Sequence, residues 1–143
     1  MEVRTSREMR RALVAVNYLS LLLFLLCYYL GVIRGWNLAL QTSVLILLAV
    51  SLASFIFVHM RTGLWRLAHA KQEELDERQI QVTHEALRYS YAIFTVSCLL
   101  IMGFNAITGH SGHYMFDIVL PVSFIYFAHS LPSSVLAWTE REV

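Results

Sequence analysis

Long stretches of the sequence that carry no charged residue constrain the fold more than any other feature. Residues 12–33 include LLLFLLCYYL, and residues 38–58 include VLILLAVSLASFIFV. Two further apolar runs cover residues 89–107 and 114–138, the last with a single acid, Asp117. Because about 20 apolar residues in a helix cross the ~30 Å hydrocarbon layer of a bilayer, each run is long enough to span a membrane.

The composition supports a lipid environment. Only 15% of the residues are charged, compared with about 25% in a typical soluble domain. We predict an all-α single domain, a bundle of four transmembrane helices over residues 12–33, 38–59, 86–108 and 114–137. It consists of two helical hairpins of the same orientation, joined by a polar loop over residues 60–85. A net charge of +1 without a clustered basic face argues against nucleic-acid binding.

The distribution of basic residues predicts the orientation. Ten of the 11 lysines and arginines lie before the first span, between the second and third, or after the fourth, and only Arg34 lies in the other loops. Under the positive-inside rule, both termini and the long loop are cytoplasmic. We therefore expect a multi-pass protein of the plasma membrane.

The most polar segment precedes the third span and contains KQEELDERQIQVTHEALRYSY. Strong helix formers and ordered charge pairs predict a helix from residue 73 that projects into the cytoplasm and continues as the third span. Leu75 and Val82 form a sparse apolar stripe on it, which lipid cannot cover outside the membrane. We predict that Leu75, Arg78 and Val82 form a docking surface, either for another protein or for the segment 64–67, which we expect along the membrane surface.

The same stretch carries a resemblance. LDERQ at residues 75–79, followed by ALRY at residues 86–89, resembles the juxtamembrane helix of small bacterial multi-span membrane proteins with a DER-type motif. The resemblance covers about a fifth of the chain. It implies a bacterial inner membrane and a cytoplasmic helix, but no activity.

Histidines suggest two kinds of cofactor site. His59, His84 and His129 fall in the cytoplasmic half of spans two, three and four, so two of them are candidate axial ligands for haem b from opposite helices. The ordinary interpretation is neutral imidazoles at wet span boundaries.

On the outer side, His110, His113 and Asp117 are candidate ligands for a divalent transition metal. A short polar turn needs hydrophilic residues in any case, and Asp117 is also a candidate ion-pair partner for Arg34. We expect neither haem nor metal.

The functional prediction rests mostly on exclusion. No nucleophile elbow, P-loop, HExxH or CxxC pattern is present, which argues against an enzyme. We predict a non-catalytic membrane protein that binds lipid and other membrane subunits or itself, as an accessory subunit or a homo-oligomer. The alternatives are a haem- or metal-binding electron-transfer protein and a small transporter or channel, the last requiring a polar path lined by Asn17, Gln41, Thr42 and Asn105.

Overall fold

The fold is known from a computed structural model that describes residues 6–108 and 118–140, and these residues form helices and short connections without a strand. Helix α1 covers Arg7–Arg34 and α2 covers Leu38–Phe55, continued by a π-helical turn at Ile56–Met60. The short α3 covers Leu64–His69, and a 3-10 turn follows at Gln72–Glu74. Helices α4 and α5 cover Glu77–Thr108 and Val119–Thr139.

Four of these helical segments are long and apolar enough to cross a membrane: Arg7–Arg34, Leu38–Met60, Glu77–Gly103 and Val119–Thr139. Many of their large apolar side chains point outward, for example Leu22, Leu45 and Leu100. Such a surface is stable only in an apolar solvent. The prediction of an all-α protein with four apolar spans is confirmed.

Helix α5 lies between the other elements. It packs against α1, α3, α4 and the π-helical turn, while α1 also packs extensively against α2. A core cluster of buried apolar residues joins these elements: Val14, Val58, Leu64, Ala86, Leu136 and Ala137. The order of contacts places α2 and α4 on opposite flanks of the pair α1 and α5.

A polar network inside the helices holds α1 to two neighbours. The side-chain nitrogen of the buried Asn17 lies 2.8 Å from the carbonyl oxygen of Ser51, 3.0 Å from the Ser54 hydroxyl and 2.7 Å from the Tyr126 hydroxyl. Because the alternative in lipid is an unsatisfied amide, these interhelical hydrogen bonds fix how α1 faces α2 and α5.

Arginines at the start of α1 bind the carboxyl end of α5. Arg11 donates to the Trp138 carbonyl oxygen at 2.9 Å and lies 5.0 Å from the centre of the Trp138 ring. Arg10 donates to the carbonyl oxygen of Glu140 at 3.0 Å. Cations stabilise a helix carboxyl end, where backbone carbonyls lack partners and the helix dipole is negative. The first turns of α1 and the last turn of α5 therefore lie at the same end of the bundle.

The segment 64–67 lies at the start of α3 and packs on the bundle, and its predicted position along the membrane surface stays a prediction. Leu64 is completely buried in the core cluster, and α3 packs against α5 and the π-helical turn. The sequence resembles an interfacial helix because Arg66 interrupts apolar residues, but those apolar side chains have a protein surface available and pack on it. On α2, the small residues Ser51 and Ser54 are buried, whereas Ala49 and Ala53 are exposed.

Candidate functional site

A groove lies where α3 approaches the start of α4, at the end of the bundle that also holds the end of α5. It encloses about 450 Å³. Leu75, Arg78 and Val82, the three residues predicted for docking, all line it. The other lining residues are Thr62, Gly63, Arg66, Leu67, Ala70, Glu74, Asp76, Gln79 and Glu140. The structure thus brings the three predicted residues to one site.

The first wall of the groove depends on a glycine. Gly63 has a φ of 74°, in the left-handed region, and it separates the π-helical turn from α3. A side chain at this position would strain the backbone, whereas glycine adopts the conformation readily. The reversal folds Leu67 back toward the core cluster, against which it packs.

The second wall depends on a capping box. The backbone N–H of Gln79 donates to a carboxylate oxygen of Asp76 at 2.7 Å, and the backbone N–H of Asp76 donates to the side-chain oxygen of Gln79 at 3.1 Å. This reciprocal pair satisfies two donors at the helix start and fixes the beginning of α4 at Glu77. The predicted start at residue 73 is four residues too early, and Leu75 lies just before the helix.

The groove combines charged and apolar side chains. Arg78 forms an ion pair with Glu140 of 3.4 Å, with side-chain exposures of 70% and 18%, so the pair contributes at most about 1 kcal/mol of stability. Val82 is partly buried against the core cluster, and Leu75 is also half-buried. Packing within the chain therefore covers part of the predicted apolar stripe and leaves the rest at the groove.

The three histidines considered for haem lie in different environments. His59 is completely buried in the π-helical turn, and neither ring nitrogen has a hydrogen-bond partner. His129 is exposed on α5, and His84 is exposed on α4. The rings of His59 and His129 lie 6.4 Å and 6.3 Å from that of Trp65, so the structure brings these two histidines to the same indole.

A fourth histidine, His69, belongs to this cluster and was not among the predicted site residues. Its ring stacks on Trp65 with the centroids 4.1 Å apart. The signal was present in the sequence, because residues four apart on a helix share a face. It was missed because the segment was interpreted as an interfacial helix.

The predicted outer metal site cannot be placed, since His110, His113 and Asp117 lie outside the described residues. The proposed partner of Asp117, Arg34, is exposed at the end of α1. In the part of the chain that the structure describes, no group of three or more His, Cys, Asp or Glu side chains is arranged to hold a metal ion.

The described residues considered for a transport path lie in different environments. Asn17 is buried in its hydrogen-bonded network, whereas Gln41 and Thr42 are exposed on α2. The Thr42 hydroxyl donates to the carbonyl oxygen of Leu38 on the same helix at 2.9 Å. The side chain of Asn105 lies outside the described side chains.

Most of the residues that line the groove fall within a part of the chain that matches a family model, whereas Thr62, Gly63 and Glu140 lie outside it. A model for a family of unknown function (DUF6442) matches residues 66–131. The match covers just under half of the chain and contains Leu75, Arg78 and Val82 together with the whole of α4. No curated protein and no solved structure matches the chain.

Proposed function

We propose that this protein is a non-catalytic integral membrane protein that acts by binding another membrane protein or a second copy of itself. The groove between α3 and α4 is the observation that carries the proposal. It gathers the predicted docking residues, and it combines half-buried apolar side chains with charged ones at the end of a membrane helix. Such a mixed surface suits a protein partner, which supplies apolar contact and charge together.

The proposed orientation places the groove, both termini and the loop between spans two and three in the cytoplasm of a bacterium. Ten of the 11 basic residues fall in these segments of the sequence, as the positive-inside rule requires. The described part of the chain adds that the start of α1 and the end of α5 are adjacent. In this orientation, the 32-residue α4, about 48 Å long, extends beyond the ~30 Å hydrocarbon layer into the cytoplasm.

Thiol labelling in intact cells tests the orientation. In a Cys27→Ala/Cys98→Ala background, a cysteine at Arg34 is expected to react with a membrane-impermeant maleimide, because Arg34 is exposed at the end of α1 opposite the groove. A cysteine at Glu73 is expected to react only after the cells are permeabilised. Labelling of the Glu73→Cys variant but not the Arg34→Cys variant in intact cells would invert the proposed orientation.

The docking role is tested by replacing both Leu75 and Val82 with serine. Losing two apolar side chains from a buried contact removes about 2 to 4 kcal/mol of binding free energy, a ~30-fold or larger decrease in affinity. Both substitutions fall before the uncharged run that begins at residue 89, so insertion into the membrane is expected to be normal. The variant is expected to lose a partner that the wild-type protein retains.

A further inference from the structure

We propose that His69 and His129 form a binding site for a first-row transition-metal ion of the Zn²⁺ or Cu²⁺ type. The two histidines come from different helices, α3 and α5, and both are exposed. Their ring centroids are 6.2 Å apart. The site is separate from the groove, and the proposal does not depend on the docking function.

The rings of His69 and His129 both lie next to the indole ring of Trp65, and this arrangement places the two imidazoles close to each other. His69 stacks on Trp65 with the centroids 4.1 Å apart and 24° between the planes. His129 is nearly parallel to both rings and almost equally distant from them, 6.3 Å from Trp65 and 6.2 Å from His69. A ring that is equidistant from two stacked rings and parallel to them lies beside the stack. His129 therefore presents the rim of its ring, and not its face, toward the stack.

The separation fits a shared ion better than a direct contact. Two imidazoles that bind one ion through nitrogens at about 2.0–2.1 Å have ring centroids roughly 5 to 6.5 Å apart, depending on the angle at the ion. The observed 6.2 Å lies at the wide-angle end of this range, as two imidazoles on nearly opposite sides of the ion would give. It is too long for a hydrogen bond directly between the two rings, whose donor and acceptor nitrogens would have to be about 3 Å apart.

A hydrogen bond on His69 prepares one ring nitrogen for the ion. Its Nδ1 lies 2.9 Å from the carbonyl oxygen of Trp65. A carbonyl oxygen only accepts, so in this contact Nδ1 carries the hydrogen and donates it, which leaves the lone pair of Nε2 available. Histidines that bind metal commonly donate their second nitrogen to a backbone carbonyl in this way, which orients the ring and raises its basicity. Stacking on Trp65 holds the same ring in place.

The donor set determines the class of ion. Imidazole nitrogen suits zinc, copper and nickel, whereas magnesium and calcium require oxygen ligands. In the part of the chain that the structure describes, these two histidines do not belong to a group of three or more His, Cys, Asp or Glu side chains that could hold a metal, so the proposed site has two protein ligands.

Titration of the full-length, tag-free protein in detergent tests the site, with Zn²⁺ and Cu²⁺ as probes and isothermal calorimetry as the measurement. We expect one ion per chain for the wild-type protein. His69→Ala and His129→Ala are each expected to weaken its binding by at least about 10-fold. His84→Ala, which removes another exposed imidazole from a different helix, is the matched control and is expected to bind as the wild type does.

Cu²⁺ quenching of tryptophan fluorescence provides a second measurement, because Trp65 is in ring contact with both proposed ligands. Quenching is expected in the wild type and is expected to be lost in a Trp65→Phe variant that still binds the ion. Absence of binding by the wild type, or equal affinity in the wild type and both ligand variants, would overturn the proposal. A decrease in ion affinity in His84→Ala as large as in His69→Ala and His129→Ala would also overturn it. So would ion binding that persists in both ligand variants although they lose secondary structure.

Discussion

Replacing Leu64 with alanine is expected to lower the free energy of unfolding by about 2 to 5 kcal/mol. Leu64 is completely buried and belongs to the core cluster that joins the π-helical turn, α4 and α5. Removing three carbons from such a site loses apolar contact and leaves a cavity that the neighbouring helices fill only in part. Denaturant or thermal unfolding of the purified protein in detergent measures the change.

Leu45→Ala is the control for this substitution. Leu45 lies on α2 and is 66% exposed to the surroundings of the bundle, so the same chemical change removes little contact within the protein. We expect a stability change within about 0.5 kcal/mol. If both variants lost the same stability, α3 would not be held to the bundle through Leu64, and the wall of the groove that α3 forms would have no such anchor.

Replacing Asn17 with leucine is expected to cost about 1 to 3 kcal/mol. Leucine has the same number of side-chain heavy atoms and the same branching as asparagine but offers no hydrogen to Ser51, Ser54 or Tyr126. Individual interhelical hydrogen bonds in membranes contribute about 0.6 kcal/mol on average and up to about 1.7. The loss of several at once, with the part-buried Tyr126 hydroxyl deprived of this partner, accounts for the larger value.

The matched control for Asn17→Leu is Gln41→Leu, which removes an amide from an exposed position on α2. It is expected to be neutral or slightly stabilising in lipid or detergent. An unfolding temperature for Asn17→Leu equal to or above that of the wild type would show that the interior network does not hold α1 against α2 and α5.

The number of spans follows directly from the sequence, because an uncharged run of about 20 residues has few alternatives to a membrane helix. The grouping of Leu75, Arg78 and Val82 at one groove was likewise within reach, since all three belong to one short polar segment next to the membrane. The start of α4 could have been read more accurately. Asp76 followed three residues later by Gln79 is a capping-box pattern, and it specifies the helix start at Glu77.

Other features depend on which helices become neighbours, which a single sequence does not reveal. Leu64 has the pattern of an interfacial helix, and only the position of α5 makes it a core residue. Ser51 and Ser54 are buried on α2, and Ala49 and Ala53 are not, because Asn17 of another helix forms hydrogen bonds with Ser51 and Ser54. The meeting of His69 with His129 depends in the same way on the contact between α3 and α5.

Recovery of a bound partner tests the central claim, docking at the groove, most directly. The wild type, Leu75→Ser/Val82→Ser and the control Ile80→Ser/Leu87→Ser are expressed at equal level, purified in a mild detergent and compared by quantitative mass spectrometry. The control changes two apolar residues of the same segment with the same spacing of seven, and neither lines the groove. Because Val82 also packs on the core cluster, Leu75→Ser alone is included, with thermal unfolding as a check on folding.

The wild type and the control are expected to retain the same partner, whether another membrane protein or a second copy. Leu75→Ser/Val82→Ser is expected to insert normally, to remain folded and to bind that partner with an affinity at least about 30-fold lower. Leu75→Ser alone is expected to show an intermediate decrease in affinity. Full recovery of the partner by the folded double variant, or an equal loss by the control, would contradict docking at the groove.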